Sequence, residues 1–310
     1  MKNIRSLIAV AVMAVTAAPA FAQDSMGAAA MAMTPTYNAN WMSSEVKDAW
    51  AKGYTGQNVR ITVVDDHTSK SGTFQGRLLN DTRVFNVHGG WTSLEAQMVA
   101  PGAEVVKHQF VSGTAVALDP VKLDVINASY GMMGLAGKSL STVSFGGTEQ
   151  SIINAARAGT AVVVKAAGND GVIMNTKTAA GKQDYLAGAL TGAQSAIFVG
   201  ALNKNGTPTA KATIETYSNR AGTDVNVQKQ FLVVGVARSY TQLSGTSFAA
   251  PIVSGYAAVL GSKFTTATPT QIANQLLTTA RTDTINGYNV AVHGRGEASL
   301  TRALAPVAIK

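Results

Sequence analysis

Cysteine is absent from the 310 residues, which excludes disulfides and thiolate metal centres and leaves the chain to be held together by its core. A chain of this length can bury such a core. Charged residues make up only 14% of the sequence and aromatics 6%. Lys and Arg give an excess of +8, but they stand singly, without a basic run or interleaved aromatics, so a nucleic-acid-binding face is not expected. No apolar run reaches the roughly 20 residues a membrane span requires. Histidine is confined to His67, His88, His108 and His293, so any imidazole chemistry must use one of these four. After residue 40 there is no repeat, low-complexity block or long linker, and a single domain over 41–310 is the economical expectation.

What precedes that domain has the order of a secretory leader. Lys2 and Arg5 come first, then an apolar run from Leu7 to Ala18, then Ala-Phe-Ala before Gln23, as in a signal peptide ending at residue 22. Residues 23–40 form a short extension. The mature chain is expected to be exported, to the periplasm or the medium, with no membrane span and a formal charge reduced from +8 by the loss of Lys2 and Arg5.

Short runs rich in β-branched residues recur at Val59–Val64, Glu104–Phe110, Val121–Ser129, Ala161–Ala166, Ala196–Ala201 and Phe231–Val236. Several are continuously apolar, as strands buried on both faces are. Helical patterns lie at Ser43–Lys52 and Thr148–Arg157, and Thr268-Pro269-Thr270-Gln271 supplies an N-cap, a proline in the first turn and a capping-box glutamine. The class is therefore α/β, a mostly parallel sheet with helices on both faces. The connection Val111–Pro120 is too short for a helical crossover.

LSGTSFAAPIVSGYAAVLG, residues 243–261, is a glycine turn entering a helix of small residues, which places Ser247 at a helix N-terminus where developing negative charge is favoured. The set Gly245, Thr246, Ser247, Ala249, Ala250 and Pro251 closely resembles the nucleophile motif of the subtilisin-like serine peptidases. AWAKGYTGQNVRITVVDD, NVHGGWTSLEAQMVAPGAEV, VINASYG, VVVKAAGND and HGRGEASLTRALAP resemble further segments of that family in the same chain order.

The resemblance implies a three-layer subtilisin-like fold and an exported serine endopeptidase acting through an acyl-enzyme. It implies Ser247 as nucleophile, His88 as base, Asp65 as the carboxylate orienting it, and an oxyanion hole from the Asn169 side chain and the Ser247 backbone N–H. Substrate would lie along Ser129, Tyr130 and Gly131, with its P1 side chain between that segment and Ala166, Ala167 and Gly168. The partner is a polypeptide substrate, the chain is expected to be monomeric, and no catalytic metal is required.

Several features depart from the family pattern. After Asp65 stand Asp66 and His67 in place of a small hydroxyl residue and glycine; Asp66 is expected to be an exposed turn residue and His67 a solvated one. Gly90 and Trp91 replace the threonine and second histidine that usually follow the base. The segment before VAPGAEV lacks the loop that binds a structural calcium ion in many relatives, so that site is expected to be missing. About 20 residues separate the leader from the domain, too few for a folding prodomain, so a separate folding or inhibitory partner is a possibility. His108 is expected to serve a strand wall. Two other functions stay open: a catalytically impaired binding protein of the same fold, and an α/β-hydrolase esterase using Ser247, Asp283 and His293.

Overall fold

A computed structural model of the chain describes residues 39–78, 82–111 and 113–309. The leader assigned to residues 1–22, and the extension except Ala39 and Asn40, lie outside the described residues.

The strands are β1 (Val59–Asp65), β2 (Thr73–Gly76), β3 (Val84–Val87), β4 (Glu104–Gln109), β5 (Leu123–Ala128), β6 (Met133–Leu135), β7 (Val162–Ala166), β8 (Lys182–Asp184), β9 (Ala196–Leu202) and β10 (Phe231–Gly235). The six apolar runs of the sequence are the six strands of one parallel sheet, ordered β10-β9-β7-β5-β1-β4. Two antiparallel pairs, β2 with β3 and β6 with β8, sit outside it.

Alternation along each strand divides the core in two. Val59, Ile61, Val63, Val125, Val162, Val164, Ile197, Val199, Leu232 and Val234 belong to one buried cluster, while Val64, Ile126, Val163, Ala196, Phe198, Phe231 and Val233 belong to the other. Successive side chains point to opposite faces of a strand, so both faces need cover. Helices of eight or more described residues supply much of it: α1 (Ser44–Ala51), α2 (His88–Val99), α3 (Gly147–Ala158), α4 (Ala250–Lys263) and α5 (Pro269–Thr278). On one face lie α1, α2, α4 and α5; α3 and the short helix Tyr185–Leu190 cover the other.

Local chemistry explains the helix boundaries. Thr268 and Gln271 close a reciprocal capping box at the start of α5. Gly159, in the left-handed region at φ 66°, ends α3. In the centre, α4 is buried from Ala250 to Ser262. Gly255 is what lets α2 approach it: a Cβ there would lie 2.5 Å from Val99 Cγ1.

β1 lies between β4 and β5, so the chain from Phe110 to Lys122 must cross over it; the described residues of that connection form no helix, in keeping with its length.

Candidate active site

The segments that carry the candidate site residues meet at one edge of the sheet. Asp65 is the last residue of β1, Ser129 follows β5, Ala166 ends β7, and His88 opens α2. The C-terminal edge of a parallel sheet is where α/β folds form their binding crevices.

Asp65 is 1% exposed and its carboxylate is held from three sides. Oδ1 lies 2.6 Å from His88 Nδ1 and accepts the Asp66 backbone N–H at 2.6 Å, while Oδ2 accepts the Thr92 hydroxyl at 2.8 Å. The His88 ring is one-fifth exposed and is flanked by Phe74, edge-on at 5.9 Å, and Phe248 at 5.4 Å. Thr92 was not foreseen from the motif. Its signal was present in the spacing, since residues four apart on a helix share a face.

The two substitutions after His88 have structural reasons. Trp91 is fully buried and donates its indole N–H to the Phe74 carbonyl at 2.8 Å, tying the β2–β3 hairpin to α2. A Cβ at Gly90 would meet Asn86 Oδ1 at 2.1 Å.

Asp66 and His67 differ from expectation. Asp66 is 4% exposed, not a solvated turn residue. Its carboxylate accepts the backbone N–H groups of Thr68 and Ser71, the Thr68 hydroxyl and the Gln109 side-chain amide. The Ser71 and Thr68 bonds hold its pKa well below the ordinary carboxylate value. This carboxylate therefore shapes the 68–71 turn and is spent there. His67 is half-buried, its Nε2 bonded to the Val63 carbonyl at 2.9 Å and its Nδ1 buried without a partner. Desolvation lowers its pKa. A Cβ at Gly89 would lie 2.5 Å from His67 Nδ1, so the ring packs behind the start of α2.

Ser247 lies in a 3-10 turn, Thr246–Phe248, three residues before α4 starts at Ala250, rather than at the first turn of the helix itself. It is 8% exposed. Its hydroxyl donates to the Ser129 carbonyl at 3.0 Å, and Ser129 returns a bond from Oγ to the Ser247 carbonyl at 2.9 Å. Among the described residues no hydrogen bond joins Ser247 to His88, although the next side chain, Phe248, touches the His88 ring.

Asn169 is oriented through its oxygen. Oδ1 accepts the Thr246 backbone N–H at 2.7 Å and the Thr246 hydroxyl at 3.0 Å, leaving the amide donors unspent beside Gly245. Asn219, another residue without a sequence signal, braces the same loop by accepting from Asp170 and Val172 and donating to the Ala167 carbonyl.

Ser129, Tyr130 and Gly131 form one wall, and Ala166, Ala167 and Gly168 another, of a cavity of about 380 Å³ that reaches Asn169 and Ser247. The Tyr130 hydroxyl donates to Glu149, and burial together with that carboxylate raises its pKa.

His108 lies on the edge strand β4, its Nε2 3.4 Å from the Thr148 hydroxyl. His293 ends a short helix, Val290–His293; its Nδ1 bonds to Asn289 and its ring stacks on Tyr288. The following Gly294 packs on Phe231, the first residue of β10 and so the opposite end of the sheet from Ser247. An esterase constellation of Ser247, Asp283 and His293 is therefore not assembled. Among the described residues no helix is long and apolar enough to cross a membrane.

Known proteins resemble the chain in sequence and in fold. Residues 61–296 match the subtilase family, peptidase S8. Subtilisin DY of Bacillus licheniformis is 33% identical over 166 residues, covering 51% of this chain and 50% of that protein; the chain thus spans about half the length of the curated relative it matches. Among solved structures, the prenylagaramide maturation protease PagA superposes with a TM-score of 0.54 at 20% identity, covering 84% of this chain and 96% of that one. The S41 psychrophilic protease gives 0.51 at 19% identity, with 79% and 92% covered, and a lanthipeptide protease 0.51 at 18%, with 84% and 93% covered. These likenesses describe the fold. With the match extending over most of the parallel sheet and all the segments around Asp65, His88, Asn169 and Ser247, the chain belongs to the subtilase family.

Proposed function

We propose that the chain is an exported serine endopeptidase in which Ser247, His88 and Asp65 form the catalytic triad. The observation that carries this is the 2.6 Å contact between His88 Nδ1 and a buried Asp65 carboxylate, at the sheet edge that also bears Ser247 and Asn169. Asp65 holds the ring in the tautomer that leaves Nε2 able to accept a proton.

An extended peptide pairs with Ser129, Tyr130 and Gly131 as an added strand. A substrate N–H arriving at the Ser129 carbonyl takes the place of the Ser247 hydroxyl, which then turns toward His88. Ser247 Oγ attacks the scissile carbonyl, His88 accepts its proton, and the Asn169 amide with the Ser247 N–H holds the oxyanion. The protonated His88 then gives its proton to the leaving amine, and water hydrolyses the acyl-enzyme by the same steps in reverse order of groups. No metal takes part in these steps.

The test is labelling of the purified mature protein by a serine-directed phosphonate, together with hydrolysis of an unfolded protein. Labelling of Ser247, loss of hydrolysis in Ser247→Ala and His88→Ala, and full retention in His67→Ala are expected. Activity retained in Ser247→Ala would sink the assignment. Phosphonate inertness with intact peptide binding would favour the catalytically impaired binding protein, a reading supported by the Ser247 hydroxyl facing Ser129. Export predicts a mature N-terminus at Gln23, read by mass spectrometry.

A further inference from the structure

The cavity beside Ser247 has a charged floor that neither the motif nor the proposed chemistry uses. Lys165, on β7, is 1% exposed, and its Nζ lies 2.9 Å from Asp184 Oδ2 and 2.7 Å from the Ala166 carbonyl. Among the described residues these are its two partners, and an ammonium group has three N–H donors. Asp184, whose side chain is 15% exposed, is loaded unequally. Oδ1 accepts the backbone N–H groups of Met132, Leu186 and Ala187, whereas Oδ2 accepts from Lys165 alone. Oδ2 also lies directly under Gly131, where a Cβ would be 2.9 Å from it.

The pair therefore brings one unspent donor and one unspent acceptor to the same cavity, with no net charge. A third polar group with unspent capacity lines that cavity: Asn175 Oδ1 is buried without a partner, while its amide nitrogen donates to Thr191. A purely apolar P1 side chain would leave all three groups unanswered. A carboxylate or an ammonium would answer only one sign and add an uncompensated charge. A carboxamide both donates and accepts, and is neutral.

We propose that Lys165 and Asp184 determine P1 specificity and select a side chain ending in a carboxamide, glutamine or asparagine. This rests on the proposed peptidase activity and its P1 pocket. A site built from buried hydrogen-bonding groups discriminates strongly against ligands that leave them unpaired.

The experiment uses matched peptide substrates differing only at P1 (Gln, Asn, Glu, Lys, Leu) with the wild type, Lys165→Met and Asp184→Asn. In parallel, calorimetry on Ser247→Ala measures binding of the corresponding product peptides. Wild type should favour Gln or Asn by roughly tenfold or more in kcat/KM, and the product peptides should rank in the same order. Lys165→Met, which leaves Asp184 without its cation, should shift the preference toward Lys; Asp184→Asn, which leaves Lys165 without its anion, should shift it toward Glu. A wild-type preference for Leu, Glu or Lys would overturn the proposal, as would a common fall across all P1 residues in both variants, the mark of a merely structural ion pair. Should one variant fail to fold, the wild-type profile and the other variant still decide. If no substrate is cleaved and Ser247 does not react with phosphonate, peptidase activity is what fails, and the calorimetric ranking alone then upholds or overturns the carboxamide pocket.

Discussion

Thr92 donates its hydroxyl to Asp65 Oδ2 at 2.8 Å, one helical turn after His88 has taken Oδ1 of the same carboxylate at 2.6 Å. Two side chains of α2 thus clamp the end of β1, and the carboxylate cannot rotate without breaking both contacts. In the proposed mechanism Thr92 acts through Asp65 as a positioning residue. Thr92→Val keeps the shape and removes the donor, and a hydrogen bond to a charged group contributes about 1.5–3 kcal/mol. The expected outcome is a fall of roughly tenfold or more in kcat with KM little changed, restored by Thr92→Ser. An equal rise in KM would point instead to a disturbed pocket.

Asp66 ties acid stability to the 68–71 turn. Its pKa is depressed in the folded chain, so it contributes stability that is present above the ordinary value of 3.8 and is lost as pH falls through the lower folded value. Asp66→Asn removes that charge. Thermal unfolding followed from pH 6 to pH 2 should show a steeper acid decline for the wild type than for the variant. Parallel curves would mean that the carboxylate does not stabilise the folded turn.

Glu95 has the opposite sign. It is 1% exposed on α2, its Oε2 has no hydrogen-bond partner, and burial raises its pKa well above the ordinary carboxylate value of 4.5. The folded chain holds this proton more tightly than the unfolded one, so stability is greatest below 4.5 and declines as pH rises toward the raised folded value. Glu95→Gln cannot ionise. Its Tm should exceed that of wild type at pH 8 by more than it does at pH 4; a constant difference would show that the wild-type carboxyl does not titrate over that range.

Gly255 tests the close approach of α2 and α4. Gly255→Ala places a methyl 2.5 Å from Val99 Cγ1 and 2.6 Å from Val99 Cβ, and the Cβ cannot give way unless the backbone of α2 shifts. Overpacking of this kind costs roughly 1–3 kcal/mol, readable in urea unfolding. Because α2 also carries His88 and Thr92, kcat should fall too. Adding Val99→Ala should recover part of both losses.

The parallel sheet was legible because its central strands β1, β7, β9 and β10 are buried on both faces and so carry mostly apolar runs that need no knowledge of their neighbours. Helix starts were legible for the same local reason: Thr268 and Gln271 cap α5 from within four residues of chain. The motif segments around Asp65, His88, Asn169 and Ser247 could be read one by one, but not the sheet edge on which they meet, since Ser247 lies 12 residues beyond the end of β10.

Side-chain partnerships across elements could not be read that way. Asp66 looked like a solvated turn residue, because nothing local shows that Thr68, Ser71 and Gln109 converge on its carboxylate. Nothing in the sequence pairs Lys165 with Asp184, 19 positions away, yet the two meet at 2.9 Å. Ser247 was expected at a helix start facing its base; its hydroxyl instead meets Ser129. By itself the sequence determined the α/β layering, which depends on periodicity and short-range spacing, and it carried the motif resemblance that points to the family and to the candidate positions for the chemistry. Only the tertiary structure decided which oxygens of Asp65 meet His88 and Thr92, and what charge lines the cavity beside Ser247, because buried polar groups choose partners by distance in space and must satisfy them there.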